Sequence, residues 1–490
     1  MNAFDFFFSD SKNLSKDFVL GSAGISFNQL FIASLKIAAY LKINVGERQN
    51  IILVSQNSVF FVVTYLAILK SGNTCIPISP SIEQSNFDYI VNSTGCKTVF
   101  VEDKTQLIKN PEIHFIQNSF VDNLLAIQDL PEDLFNDNFD NDRTALVLFT
   151  SGSTDRPKGV MLSHLNLTSN TESIVKYLNL TATDTMGVVL PFHYCYGLSL
   201  LHTHLKVGGS LVLINNFIFL ASVIKDLKNF NCTGFAGVPS HFQILLRKFL
   251  TFTKTDFPHL RYVTQAGGKL HDVFIKEFKE AFPDIAFVVM YGQTEATARL
   301  AYLPSEMLHA KLGSIGKEIP GVTLAIVDDQ LCEVKVGEVG EIAAKGDNIM
   351  KGYYGDPDAT GEVLMNGWLM TGDLAMRDED GFIFLVGRKK EIIKVGGRRV
   401  SPKEIEEVIL TVQQTVDCTV EGIYDEILGE GIKASVVLKA GSDELNAKDE
   451  ILKACNKNLS SFKIPQVICF ENSLNVNTSG KKIKNVSVGR

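Results

Sequence analysis

The chain reads as an α/β protein with a large N-terminal domain and a small α+β C-terminal domain. Three observations point there. At 490 residues it is too long for one compact core. Its first 300 or so residues alternate short apolar runs with helical patterns, the signature of parallel α/β structure. After about residue 313 the texture changes to short strands joined by glycine turns.

Along the chain, QNIILVS (49–55) reads as a strand and 58–70 as the helix after it. The most apolar stretch, VFFVVTYLAILKSG (59–72), is broken by Lys70 and is too short to span a bilayer, so it is a buried helix. KTVFVED (97–103), TALVLFT (144–150) and SLVLINN (210–216) are further strands. RYVTQAGGKL (261–270) and IAFVVMYGQTEAT (285–297) share one design, an apolar strand followed by a glycine-containing polar turn. Ligands in open α/β sheets sit beyond the carboxyl ends of strands, so the loops 150–159, 266–269 and 291–295 should gather at one edge. GVTLAIVDD, GEVGEIAAKG and GFIFLVGRKKEIIKVGGRRV suggest a β-rich layer, a small barrel, attached to two α/β sheet subdomains. SPKEIEEVIL (401–410) starts a helix: Ser401 can cap it, Pro402 takes the first helical position and Glu404 completes a capping box. The basic, glycine-rich segment 387–399 sets the expected boundary, with domains 1–387 and 388–490.

The composition narrows the function classes. A net charge of −8 argues against a nucleic-acid coat or an anionic-membrane binder. Eight scattered cysteines form no C-x-x-C pair, and no secretory leader is read at the N-terminus, so the thiols are expected reduced and the chain cytoplasmic, with no integral membrane segment. His202 and His204 form an H-x-H, but with no acid or thiol clustered nearby they read as ordinary helix or strand residues.

LFTSGSTDRPKGVMLSH (148–164) carries the first chemical signal. Small hydroxylated residues and glycines let backbone N–H groups approach an anion, and a lysine adds charge. The nucleotide loop G-x-x-x-x-G-K-[ST] fails here: counting from Gly152 the sixth residue is Pro157, and Gly159 follows Lys158. On this stretch alone a plain turn and a phosphate loop stand about even.

Further motifs follow in order: PFHYCYG (191–197), QAGGKL (265–270), YGQTE (291–295), GWLMTGD (367–373), GRKKEIIKVGGRRVSPKEIE (387–406) and TSGK (478–481). With FTSGSTDRPKGV (149–160) they make the chain resemble the adenylate-forming superfamily over residues 20 to 485. That group includes acyl- and aryl-CoA synthetases, peptide-synthetase adenylation domains and beetle luciferases. Two positions depart from its pattern. Asp155 replaces a glycine of the phosphate loop, and LNVNTSGK (474–481) lacks a proline and a threonine.

The resemblance implies a two-step ligase. A carboxylate attacks ATP to give acyl-AMP and pyrophosphate, and a thiol then displaces AMP. Glu295 is expected to hold Mg²⁺, and Thr150, Ser151, Gly152, Ser153, Thr154 and Lys158 to cradle the leaving phosphates. Thr294 faces the α-phosphate and Lys481 bridges the attacking carboxylate. Gly267, Gly268 and Tyr291, continued by Gly292 and Gln293, receive the adenine side of the nucleotide. Asp373 takes the ribose hydroxyls, with Arg388 in support. The small domain turns about Lys390, bringing Lys394 and the Gly396–Gly397 pair to the site for thioester formation. His193 lies beside the acyl group.

No Asp occurs in 191–200 to bind an α-amino group, so the acid is expected to be a fatty or aryl carboxylic acid. Its pocket should be lined by 193–197, 235–242 and 291–300, with Gly234, Ala236 and Gly237 leaving a deep apolar slot. Arg299 touches a substrate carboxyl or pairs with a surface acid, the second reading being preferred. Coenzyme A is the expected acceptor and an acyl carrier protein the alternative. An amino-acid adenylating enzyme and a non-catalytic homologue stand behind these.

Overall fold

The computed structural model describes residues 1–474 except 104, 106, 108–111, 127–133, 136–138, 151–155 and 427. Two sheets build the large domain. In the first, Asn50–Val54, Thr74–Ile78, Thr98–Val101 and His114–Gln117 run parallel, and the hairpin Thr144–Thr150/Lys158–Ser163 joins through Cys75 opposite Leu146. In the second, Ser210–Leu213, Thr185–Val188, Gly234–Gly237, Tyr262–Gln265 and Ala286–Tyr291 are parallel neighbours in that order. Strands such as Asn50–Val54, Thr74–Ile78 and Tyr262–Gln265 are almost wholly buried, which is why they read as continuous apolar runs rather than alternating ones.

Helices His164–Leu178 and Cys195–Val207 fill the space between the sheets. Leu167, Leu198 and Leu201 share one core with Leu146 and Leu162 of the first sheet and Val188 and Tyr262 of the second. The H-x-H pair belongs to this core. The His202 imidazole pairs with the Tyr65 hydroxyl at 2.8 Å and stacks on Phe7, and His204 Nδ1 sits 2.9 Å from the Leu200 carbonyl.

After Ala286–Tyr291 the sheet turns antiparallel through Ala301–Leu303 and Ser314–Glu318 into Ile383–Arg388, Trp368–Arg377, Gly340–Gly346 and Val322–Val327. This is the segment expected as a small barrel. It is hydrogen-bonded to the parallel sheet rather than separate from it, and Val322–Val327 stands at the end of the strand order.

The small domain pairs Ile393–Val395, Arg398–Val400, Thr415–Asp425, Gly429–Leu438 and Val467–Phe470 in one sheet, with helices Pro402–Leu410 and Glu444–Asn458. Gly396 (φ +54°) and Gly397 (φ +79°) form the two-residue turn between its first two strands, a turn that needs positive φ at both positions. Pro402 opens its helix as expected, but the capping box does not form. The Ser401 hydroxyl donates to the Val386 carbonyl at 2.5 Å, and Glu404 takes the Lys463 ammonium instead. A tie to the preceding strand and an ion pair outcompete the local cap. The domain meets the large one where helix Pro402–Leu410 faces the end of QAGGKL and the residue after it. Glu407 pairs with Lys269, Glu406 lies 3.7 Å from His271, and Asp417 accepts from Gln243 at 3.0 Å.

The buried histidines make stability acid-sensitive. Burial lowers the His164 and His202 pKa values to about 3 and that of His204 to about 4. In the unfolded chain each returns to about 6.5, so below that pH the unfolded state binds more protons. Their contribution is complete above about pH 6.5 and is lost as the pH falls toward 4. Urea midpoints measured from about pH 7.5 downward should drop progressively once below about 6.5; a midpoint that stays level to about pH 4.5 would contradict the burial of these rings.

Candidate active site

The turns QAGGKL and YGQTE leave adjacent parallel strands at their carboxyl ends, with Gln265 opposite Val289. Gln265 Nε2 donates to the Gly268 carbonyl at 2.8 Å and closes the first turn, in which Gly267 has φ +85°. In the second, a side chain at Gly292 would place Cβ 2.1 Å from the Ala298 carbonyl oxygen. Only glycine fits because the chain doubles back immediately after Glu295. The reversal is made at Thr297 (φ +65°, ψ −57°), with Ala298 N–H donating to the Ala296 carbonyl at 2.7 Å. A β-branched residue in such a γ-turn costs about 1–3 kcal/mol and persists only where its surroundings hold it. The Thr297 hydroxyl donates to Asn348 O at 2.7 Å, and Asn348 Nδ2 donates to the carbonyls of Ala296 and Arg299.

Thr150 and Lys158, which flank the phosphate-type loop, stand opposite each other in an antiparallel hairpin of the other sheet, and strand Lys158–Ser163 rather than a helix carries the chain on. Ser151, Gly152, Ser153 and Thr154 lie outside the described residues, as do Asp155 and Lys481. Gly352–Tyr353 pairs with strand Lys158–Ser163 and carries the connection across. The Tyr353 hydroxyl donates to Glu295 Oε1 at 2.9 Å, and Lys158 Nζ lies 5.1 Å from the Tyr353 ring. Burial and the adjacent Glu295 push the Tyr353 phenol upward, so it stays a donor. Sequence reasoning missed Tyr353; its signal was the aromatic pair in GYYGDP, behind a glycine. Glu295 is half-buried, and no group of three acidic, histidine or cysteine side chains that could form a metal cage occurs among the described residues. A single hard carboxylate suits magnesium that is also held by substrate phosphates.

Asp373 ties three elements together. Its Oδ2 accepts from the Tyr291 hydroxyl at 2.6 Å and its Oδ1 from Arg388 Nε at 3.0 Å, and its N–H donates to the Thr371 hydroxyl. Tyr291 ends the parallel sheet, Asp373 lies in the antiparallel layer, and Arg388 ends the last strand before the small domain. Burial, then the Asp373 charge, raise the Tyr291 phenol well above its usual range. Only 8% of Tyr291 is exposed, and its ring belongs to the main hydrophobic core. Arg388 is half-exposed, and the Asp373 carboxylate holds its guanidinium more firmly protonated.

On the opposite side, Asn57 clamps the PFHYCYG turn, donating to Leu190 O and accepting from Phe192 N–H. His193 packs on Tyr194; burial lowers its pKa to about 4, and its Nε2 has no partner among the described residues. Cys195 Sγ lies 3.6 Å from Thr294 Oγ1. The slot expected beside Gly234 and Gly237 is filled. A Cβ at Gly234 would lie 2.6 Å from the Tyr262 ring, and one at Gly237 2.9 Å from Phe242. These glycines admit neighbouring aromatics, not ligand. The cavity nearest Cys195 holds about 10 Å³, lined by Leu148, Leu198, Ser199, Thr297 and Ala298 among others. Arg299 also differs from expectation. It is 2% exposed and pairs with no surface acid among the described residues; its guanidinium lies over the Tyr196 ring and donates to Met290 Sδ and Ala298 O. Lys390 and Lys394 are exposed, while Lys389 between sheet and linker is anchored on Asp329 and Glu341.

Tyr291→Phe leaves a buried Asp373 oxygen one donor short. Denaturant unfolding should show a loss of about 1–3 kcal/mol; unchanged stability would mean the hydroxyl contributes nothing to the joint.

Comparison with known proteins identifies the family. A profile of AMP-binding enzymes matches residues 11–354, and one of the AMP-binding enzyme C-terminal domain matches 404–481. An oxalate–CoA ligase of Arabidopsis thaliana is 30% identical, the alignment covering 97% of this chain and 94% of the relative. A long-chain-fatty-acid–CoA ligase of Yersinia pestis is 27% identical over 94% and 89%. The structure of ATP-bound MatB from Rhodopseudomonas palustris superposes with a TM-score of 0.85 at 26% identity, over 98% and 97% of the two chains. With a profile spanning most of its length and a relative 30% identical over nearly the whole chain, the chain belongs to the AMP-binding enzyme family.

Proposed function

We propose that the chain is an AMP-forming acid–thiol ligase that activates a carboxylic acid with ATP and transfers the acyl group to coenzyme A. The convergence of Lys158, Tyr353 and Glu295 with Tyr291, Asp373 and Arg388 supports this reading most strongly. Its curated relatives are named as CoA ligases. Those names range from oxalate to long-chain fatty acids and do not choose the acid.

Two anions must meet in the first step, so charge neutralisation and alignment dominate. Lys158 and the hydroxyls of the 150–154 loop hold the leaving phosphates. Glu295, oriented by Tyr353, would hold magnesium, which draws charge from the phosphate oxygens. Thr294 faces the α-phosphate, Asp373 the ribose hydroxyls and Arg388 the sugar, while Gly267 and Gly268 admit the adenine ring. Lys481 steadies the attacking carboxylate. A donor of that kind contributes a few kcal/mol of transition-state stabilisation. His193, with its lowered pKa, is neutral near pH 7 and can border the acyl carbon without pairing to its carboxylate. For the second step the small domain turns about Lys390 and presents Lys394 to the thiol.

No helix among the described residues is long and apolar enough to cross a membrane. All eight cysteines are unpaired, which suits a reducing cytoplasm as the proposed compartment.

Incubation with ATP, Mg²⁺, coenzyme A and pooled carboxylic acids, read by mass spectrometry, should yield AMP and an acyl-CoA. Acyl-AMP without thioester would move the acceptor to a carrier protein, and neither product would reject the ligase reading. Lys481→Ala should lose adenylate formation while binding ATP; a normal rate would remove that lysine from the mechanism.

A further inference from the structure

The polar contacts that tie the small domain to the large one are duplicated within each domain. Across the boundary, Lys269 pairs with Glu407, His271 Nε2 lies 3.7 Å from Glu406, Gln243 donates to Asp417 at 3.0 Å, and Arg247 donates to the Thr415 carbonyl. On their own sides these groups have other partners. Glu406 is fully buried, yet its Oε2 takes the Lys403 ammonium at 2.7 Å and its Oε1 accepts from Val420 N–H at 3.0 Å. Asp417 accepts from Cys418 N–H at 2.9 Å, and Arg247 pairs with Glu277 at 2.6 Å. Lys269 lies within electrostatic reach of Asp272, and Glu407 is half-buried, close to water. Breaking a buried pair is costly because the remaining charge is left uncompensated. Here the two sides can part and leave each buried charge with a partner.

The same contacts indicate which orientation they hold. They come from helix Pro402–Leu410 and the start of strand Thr415–Asp425. The hairpin with Lys394 and the Gly396–Gly397 turn instead pairs with strand Gly429–Leu438 of its own domain, and Lys394 is exposed. The proposed thiol step presents Lys394 to the site, so these contacts have to break before it. Lys269 also links the boundary to the nucleotide side. It follows Gly267 and Gly268 in QAGGKL, so its ion pair joins the small domain to the turn that the ligase reading gives to adenine. We infer that Lys269 and Glu407 are positioning residues, a releasable latch that holds the small domain in the orientation for adenylate formation. Reversing one charge sets like charges against each other and opens the latch, and reversing both restores it.

This role rests on the ligase reading, and two readouts separate them. Pyrophosphate release from ATP with the pooled acids, without coenzyme A, times the first step. Loss of preformed acyl-adenylate on adding coenzyme A times the second. Glu407→Lys lies outside the nucleotide turn and should slow the first step by about 10-fold through the orientation equilibrium, with the second step no slower than in the unaltered enzyme. Glu407→Gln should give a smaller change in the same direction, and Lys269→Glu combined with Glu407→Lys should recover most of the rate. Trypsin cleavage after the exposed Lys390 needs no substrate. It should be several-fold faster in Glu407→Lys and return in the double reversal, because release of the domain frees the linker. A thermal shift reports that each variant is folded, and if Glu407→Lys is not, Glu407→Gln decides. Equal loss in both steps, or a double reversal no better than Glu407→Lys, overturns the latch and leaves the ligase standing. So does an unchanged first step. No pyrophosphate release by the unaltered enzyme with any acid rejects the ligase reading, and the cleavage pattern alone then upholds or overturns the latch.

Discussion

One buried carboxylate joins the structure's parts. Asp373 belongs to the antiparallel layer, yet its two oxygens are taken by Tyr291 from the parallel sheet and Arg388 from the strand leading to the small domain. A buried charge held by two donors is stable only if both stay in place. The edge of the parallel sheet, the Asp373 carboxylate and the root of the linker therefore keep one relative geometry. Lys389, the next residue, adds two ion pairs to the same layer. Beyond it Lys390 is exposed, so the chain passes from an anchored strand to a free position within two residues.

A second arrangement brings the two sheets to one site. The hairpin holding Lys158 grows from the first sheet, and Glu295 from the second. Tyr353 closes the gap, because its short strand pairs with the hairpin while its hydroxyl reaches the carboxylate. Strain is stored next to this contact. Thr297 holds a γ-turn that a threonine would not adopt alone, and Asn348 fastens it through three hydrogen bonds. The turn sends Ala298 toward the small cavity beside Cys195, while the Arg299 side chain packs on Tyr196. One tight reversal thus orders both Glu295 and the residues that follow it.

Most strands were legible because each is a short, mostly buried apolar run between turn residues, as at 50–54 and 144–150. The glycine turns were legible because only glycine allows the backbone to fold back as it does at Gly292. What escaped were contacts between segments far apart in the chain. Tyr353 is 58 residues from Glu295, and nothing local marks their meeting. Ser401 carried a sound local signal, and a long-range carbonyl outcompeted it. Gly234 and Gly237 looked like open space, but Tyr262 and Phe242 from other elements occupy it. Arg299 looked like a surface charge because sequence does not report burial.

The central claim is that Asp373, fixed by Tyr291 and Arg388, forms the nucleotide's sugar site. Asp373→Asn keeps the size of the side chain and removes its charge. Titration calorimetry with ATP should show affinity weakened by about 10- to 100-fold, the loss of one or two charge-assisted hydrogen bonds. An unchanged affinity in a folded Asp373→Asn protein would contradict the account and reduce the carboxylate to a structural joint.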